Sequence, residues 1–174
     1  MRLEGRTYVV LVDEGVEDLE FWVTVMRLRE EGARVLTAGR DTDPHVGKHG
    51  VPVQAEVLAG DVDPGAVDGL VIPGGWAPDK LRRDQGVLDL VRGCADRGLV
   101  VGIICHGGSV AISAGIVSGR ATGSLGIKDD LVNAGAEWVD LPAFRDGDVV
   151  WGRVVADIPD FCRELVAAFA EQPS

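Results

Sequence analysis

The sequence has few aromatic residues, few cysteines and none of the usual phosphate-binding glycine signatures, and each shortage removes a class of protein. Aromatics make up 5% of the 174 residues, whereas glycine occurs 24 times. That balance suits the tight strand–helix turns of an α/β fold better than a β-sandwich. Cys94, Cys105 and Cys162 are the only cysteines, with no CxxC pair among them. Neither a disulfide framework nor a thiolate zinc site is expected, which fits a reducing compartment. GxGxxG and GKS/T are both absent, which argues against a dinucleotide fingerprint or a phosphate loop. Positive charge is also scarce: 17 Lys and Arg against 28 Asp and Glu give a formal net charge of −11. Such a surface repels a phosphate backbone, so nucleic acid is a poor partner. No long apolar run occurs, and Met1–Arg6 leads straight into Tyr8-Val-Val-Leu-Val12. Without a signal-like or spanning segment, the expectation is a cytoplasmic protein with no membrane partner. His45 and His49 are four residues apart, but Gly47 lies between them in a loop-like stretch and no third ligand stands out. No metal and no cofactor are expected. With no internal repeat or linker, residues 1–174 read as one domain.

What is present is an alternation of short β-branched runs with amphipathic stretches. Thr7–Val12, Arg34–Ala38, Leu70–Ile72 and Leu99–Ile104 read as buried strands, and Val51–Val57 as an extended crossover or edge hairpin. Leu19, Trp22, Val25, Met26 and Arg29 fall at helical spacing, and Gly32 closes that segment. Val87–Cys94 is a second helix and Val110–Ala114 begins a third. Asp129–Ala134 looks like a short helix, Glu137–Asp140 a short strand, and Asp146-Gly147 a turn between extended segments, the second at Val149–Val155. Pro159 suits the first turn of a last helix whose core face holds Phe161, Leu165 and Phe169. The order implies an α/β fold: a mostly parallel sheet with helices on both faces.

In such sheets ligands bind beyond the carboxyl ends of the strands. Three strand ends carry distinctive loops: the acidic Glu14/Glu17/Asp18 cluster, Pro73-Gly74-Gly75, and Cys105-His106-Gly107-Gly108. The switch from strand to helix after Ile104 resembles a nucleophile elbow, where a helix N-terminus would favour thiolate. The alternative is a small buried hydrophobe, the usual fate of a free cysteine; Cys94 and Cys162 read that way. His106 is either the acid–base partner or a capping histidine. Glu17 is either a buried carboxyl that hydrogen-bonds the thiol or one of several helix-end charges. Gly75 and His106 are placed to offer backbone N–H groups as an oxyanion hole.

Several segments occur in order: Glu17-Asp-Leu-Glu20, Gly47-Lys-His-Gly50, Val71-Ile-Pro-Gly-Gly75, Ile104-Cys-His-Gly107, Ile112-Ser-Ala-Gly115 and Gly126-Ile-Lys through Asp140. Together they resemble the ThiJ/PfpI family, and within it the PfpI-type intracellular cysteine protease branch. The resemblance implies a flavodoxin-like three-layer sandwich with Cys105 as nucleophile and His106 as acid–base group. It maps the thiol-binding carboxyl to Glu17 and the oxyanion-hole amides to Gly75 and His106. It also implies a homodimer or hexamer, with Asp79 of a neighbouring subunit orienting His106. Around the elbow the chain departs from the family: Gly108 and Ser109 replace proline and a bulky residue. Ser124-Leu125 replaces tyrosine-proline, and Trp76 stands where a polar residue is common. These positions mark a reshaped substrate pocket. The expected activity is thiolate attack on a small carbonyl or amide-like substrate or short peptide, as in a peptidase, deglycase or glyoxalase. The alternative is a non-enzymatic redox sensor or stress-response protein with an oxidisable Cys105.

Overall fold

The apolar runs pair side by side because each is too hydrophobic to leave either face in water. In the computed structural model, which describes residues 1–173, the strands are β1 (Thr7–Leu11), β2 (Arg34–Gly39), β3 (His45–Val46), β4 (Pro52–Val53), β5 (Val57–Leu58) and β6 (Gly69–Ile72). They continue with β7 (Val100–Ile104), β8 (Arg120–Ala121), β9 (Glu137–Trp138), β10 (Ala143–Asp146) and β11 (Val149–Gly152). Seven form one sheet in the order β10-β11-β7-β6-β1-β2-β5, with every pair parallel except β10–β11. The helices are α1 (Asp18–Glu30), α2 (Ala77–Leu81), α3 (Gln85–Asp96), α4 (Gly108–Ala114), α5 (Lys128–Asn133) and α6 (Ile158–Glu171). Contacts group α1 with α6 on one side of the sheet and α2, α3, α4 and α5 on the other. This is the flavodoxin-like three-layer sandwich. No described helix is long and apolar enough to cross a membrane.

Both ends of the chain are tied in by the core. Phe161, Leu165 and Phe169 of α6 are fully buried, and Phe169 stacks on Tyr8 of β1 with ring centroids 4.0 Å apart. Arg6 reaches the end of the same helix, donating to the carbonyl oxygens of Phe169 and Gln172 at 2.6 and 2.7 Å.

Three sequence expectations are modified. The extended stretch at 51–57 is divided: β4 pairs antiparallel with β3 as a separate hairpin, while β5 adds to the sheet edge beside β2. The last strand stops at Gly152, and Val155–Asp157 is a 3-10 turn leading into α6. The largest change is the face of α1. Its buried side holds Glu20, Phe21, Thr24, Val25 and Leu28, whereas Leu19 and Met26 are exposed. Apolar residues occupy most of this helix's circumference, so spacing alone did not select the inward side.

Candidate active site

The parallel order places β1, β6 and β7 side by side, so the loops at their carboxyl ends meet. Ile104 ends β7 in extended backbone (φ −128°, ψ 145°), Cys105 turns to φ 59°, and the chain enters a 3-10 turn running into α4. Cys105 is the only non-glycine residue with positive φ among those described. A side chain held there costs about 1 kcal/mol or more and persists where the surroundings over-determine it. The surroundings here are specific. Sγ lies 3.4 Å from His106 Nδ1 and accepts the backbone N–H groups of His106 and Gly75. Gly75 has φ 78°, a left-handed conformation that aims its N–H away from the strand and toward the thiol.

The carboxyl against the thiol is that of Glu20, and this corrects the expectation for Glu17. Glu17 precedes α1 and is itself held in place, its N–H donating to Gly74 O at 3.1 Å. Its side chain is directed to the loop between β3 and β4, where Oε2 lies 3.3 Å from His49 Nε2 and 3.9 Å from Lys48 Nζ. Glu20 lies within the first turn of α1 on the inward face, fully buried and in side-chain contact with Cys105. Its Oε2 accepts the Gly74 N–H at 2.7 Å, while Oε1 has no hydrogen-bond partner among the described residues. Gly74 has to be glycine: a methyl group there would sit 2.7 Å from Glu20 Oε2 and 2.8 Å from Cys105 Cβ. Glu20, Thr24 and Leu28 follow one another at four-residue spacing and so share a helix face, but nothing in that spacing marks the face as the inward one.

Burial raises the Glu20 carboxyl to about 7, against the Gly74 N–H, which favours its ionised form. Burial also raises the Cys105 thiol, to about 12, and the negative charge of Glu20 adds to the rise. The two groups share protons, so the pair loses a first proton near 7 and a second only far higher. In the singly protonated state the higher thiol value keeps the proton mainly on sulfur, and a minor form carries it on Glu20. With it on Glu20, the O–H donates to a thiolate that also accepts two backbone N–H groups. His106 is half-buried and its pKa is lowered, first by burial and then by the charge of Lys48, so its imidazole is neutral at pH 7.

A cleft of about 730 Å³ opens over the thiol. Cys105, His106, Glu17, Gly75 and Asp79 all border it, as do the expected pocket residues Trp76, Ser109 and Ser124. Gly108 does not. It is buried at the start of α4, and a Cβ there would meet Ile127 Cδ1 at 2.8 Å, beneath the cleft rather than in its wall. Ser109 borders the cleft with its hydroxyl already engaged, donating to His106 O at 3.0 Å. Asp79 does not touch His106 within this chain; its side chain is 80% exposed and lies 3.5 Å from Arg83. Helix α2, which carries Asp79, had no clear pattern in the sequence because it is only five residues long.

Glu17, Asp18 and His49 bring potential metal-ligating atoms within 4.8 Å of one another. Both Asp18 oxygens are already engaged, accepting the N–H groups of Val51 at 2.9 Å and His49 at 2.8 Å. The group is thereby accounted for as a clamp on the loop after β3. All three cysteines are free thiols, with Cys94 and Cys162 in the core as expected. Burial raises Cys94 to about 12 as well, opposed by the charge of Arg97.

Comparison with known proteins gives one consistent picture. The DJ-1/PfpI family matches over residues 6–168. A deglycase of Pyrococcus horikoshii is 41% identical over 151 residues, covering 86% of this chain and 91% of its own. The protein named Deglycase PfpI from Pyrococcus furiosus is 38% identical over 151 residues, with the same coverage of both chains. Among solved structures, Drosophila melanogaster DJ-1beta shares the fold, with a TM-score of 0.87 at 23% identity over 96% of this chain and 91% of that one.

Proposed function

The chain belongs to the DJ-1/PfpI family, and from that premise we propose that it is a cysteine-dependent enzyme in which the Cys105 thiolate attacks a small carbonyl or amide-like substrate. The observation that carries this reading is the placement of Sγ at φ 59° among the His106 imidazole, two backbone N–H groups and the Glu20 carboxyl. Glu20 holds the proton that leaves the thiol. Attack forms a carbon–sulfur bond, and the substrate's carbonyl oxygen becomes an oxyanion that accepts the N–H groups of Gly75 and His106. Each such donor contributes about 3 kcal/mol to an acyl-transfer transition state. His106, neutral at pH 7, accepts a proton from water or passes one to the departing group.

Relatives named as deglycases support a glycated amine as substrate; peptidase and glyoxalase chemistry use the same thiolate attack. Turnover of glycated amines, dicarbonyls and short peptides by the wild type and by Cys105→Ala tests the reading. Turnover of at least one class, lost in Cys105→Ala, is expected; no Cys105-dependent turnover of any of them would overturn it. A homodimer, or dimers assembled into a hexamer, is part of the same proposal. It is supported by the exposed Leu19, Val23 and Met26 along α1 and by an Asp79 free of His106 in its own chain. Sedimentation of the wild type and of Met26→Lys tests that assembly; a wild-type monomer at micromolar concentration would contradict it.

A further inference from the structure

The chain as a whole is strongly acidic, with a formal net charge of −11, yet its cleft is not. Lys48, Lys80 and Arg82 border it against two carboxylates, Glu17 and Asp79, with His106 neutral. Two of the three cations have a hydrogen-bond partner in the protein. Lys80 Nζ donates to Glu14 O at 3.3 Å, and Arg82 Nε donates to Ser113 Oγ at 2.9 Å. Lys48 is different. Its Nζ has no hydrogen-bond acceptor among the described residues; the nearest carboxylate oxygen, Glu17 Oε2, is 3.9 Å away and has His49 Nε2 closer, at 3.3 Å. The ammonium instead lies 5.6 Å from the centroid of the Trp76 ring, an attraction that holds a cation without satisfying its N–H donors.

The loop that presents Lys48 is fixed. Lys48 N donates to Val16 O at 2.8 Å, Gly47 N donates to Val51 O at 2.8 Å, and Asp18 grips the N–H groups on either side of Gly50. An ammonium with unspent donors, on a fixed loop at the edge of a nucleophile's cleft, is a pre-organised partner for an anion. Its charge reaches both His106 and Glu20.

We propose that Lys48 is a specificity-determining residue that makes the cleft an anion-binding site, selecting small carbonyl substrates that carry a carboxylate near the reacting carbon. Trp76 forms the wall against which the substrate's flat carboxylate end lies, and Lys48 supplies the charge. This deepens the enzymatic reading of Cys105 but is tested without turnover. Iodoacetate and iodoacetamide react by the same displacement: sulfur bonds to the methylene carbon and iodide leaves. They differ in one charge. The second-order rates of Cys105 alkylation by each reagent are measured at pH 7.5 on the full chain, with the modified residue identified by peptide mass. Glutathione is measured alongside as a thiol with no nearby cation.

The iodoacetate-to-iodoacetamide ratio at Cys105 is expected to exceed that of glutathione. It should fall roughly fivefold in Lys48→Met, the effect of one charge a few ångströms away at a partly screened site, and recover in Lys48→Arg. The iodoacetamide rate normalises for any change in thiol reactivity. A ratio equal to that of glutathione would overturn the proposal, as would a high ratio that survives Lys48→Met. Loss of the enzymatic reading has a separate signature: no Cys105-dependent turnover of any substrate class, whatever the alkylation ratio.

Discussion

Replacing Glu20 with glutamine should remove a pH dependence from the protein's stability. Glu20 is fully buried, and burial lifts its carboxyl from the ordinary 4.5 to about 7. A raised folded-state pKa means that the folded protein binds this proton more tightly than the unfolded chain does. The stabilisation is therefore complete below 4.5 and is lost as pH rises through 7. The loss amounts to roughly 3 kcal/mol across that window, at no more than about 1.4 kcal/mol per pH unit. Glutamine has the same shape and keeps an acceptor for the Gly74 N–H but cannot titrate. Urea unfolding of wild type and Glu20→Gln at intervals from pH 4.5 to 8 reads the effect directly. Titrating groups that do not touch Glu20 cancel in the difference between the two curves, and the thiol of Cys105 contributes little below pH 8. The wild type should lose about 3 kcal/mol relative to the variant as pH rises through this range. Parallel curves would refute a Glu20 that holds its proton in the folded state.

Other outcomes follow from the same geometry. His106→Asn should lower kcat by about 10²- to 10⁴-fold, the usual range for a lost acid–base group. Its melting temperature should barely move, because the ring is half-buried and its side-chain contact is the thiol; a matching loss of stability would mark it as structural. Gly74→Ala should destabilise the fold by about 1–3 kcal/mol, because the added methyl cannot fit between Glu20 and Cys105. Wild-type stability and reactivity in that variant would contradict the close approach. Phe169→Ala should cost about 3–5 kcal/mol by emptying the site against Tyr8, while leaving the rate of Cys105 alkylation in the folded protein unchanged.

The sheet was legible in the sequence because its strands are short, β-branched and ended by glycine or proline turns. Pro159 and the Phe161-Leu165-Phe169 spacing marked α6 for the same reason: one face is apolar and the start is signalled. The elbow was legible at Cys105, and the amides at Gly75 and His106 followed from where their strands end. The carboxyl was not. Glu14, Glu17, Asp18 and Glu20 crowd one helix start, and only the rotation of α1 distinguishes an inward Glu20 from a Glu17 turned to Lys48 and His49. That rotation is set by packing against the sheet, because Leu19, Val23 and Met26 offered an equally apolar stripe on the other side. Gly108 was misplaced for a related reason: a departure in sequence next to a nucleophile does not say whether the position faces the cleft or the core.

The central claim, that Cys105 and Glu20 act as one proton-sharing pair, is tested most directly by the pH dependence of Cys105 alkylation with neutral iodoacetamide. In the singly protonated pair the thiolate form is a fixed fraction, so the rate follows the pair's first ionisation. The account predicts a midpoint near 7 in the wild type, and a midpoint above the ordinary thiol value of about 8.5 in Glu20→Ala, where burial acts on the thiol alone. A wild-type midpoint at or above about 8.5, or one that Glu20→Ala leaves unchanged, would contradict it.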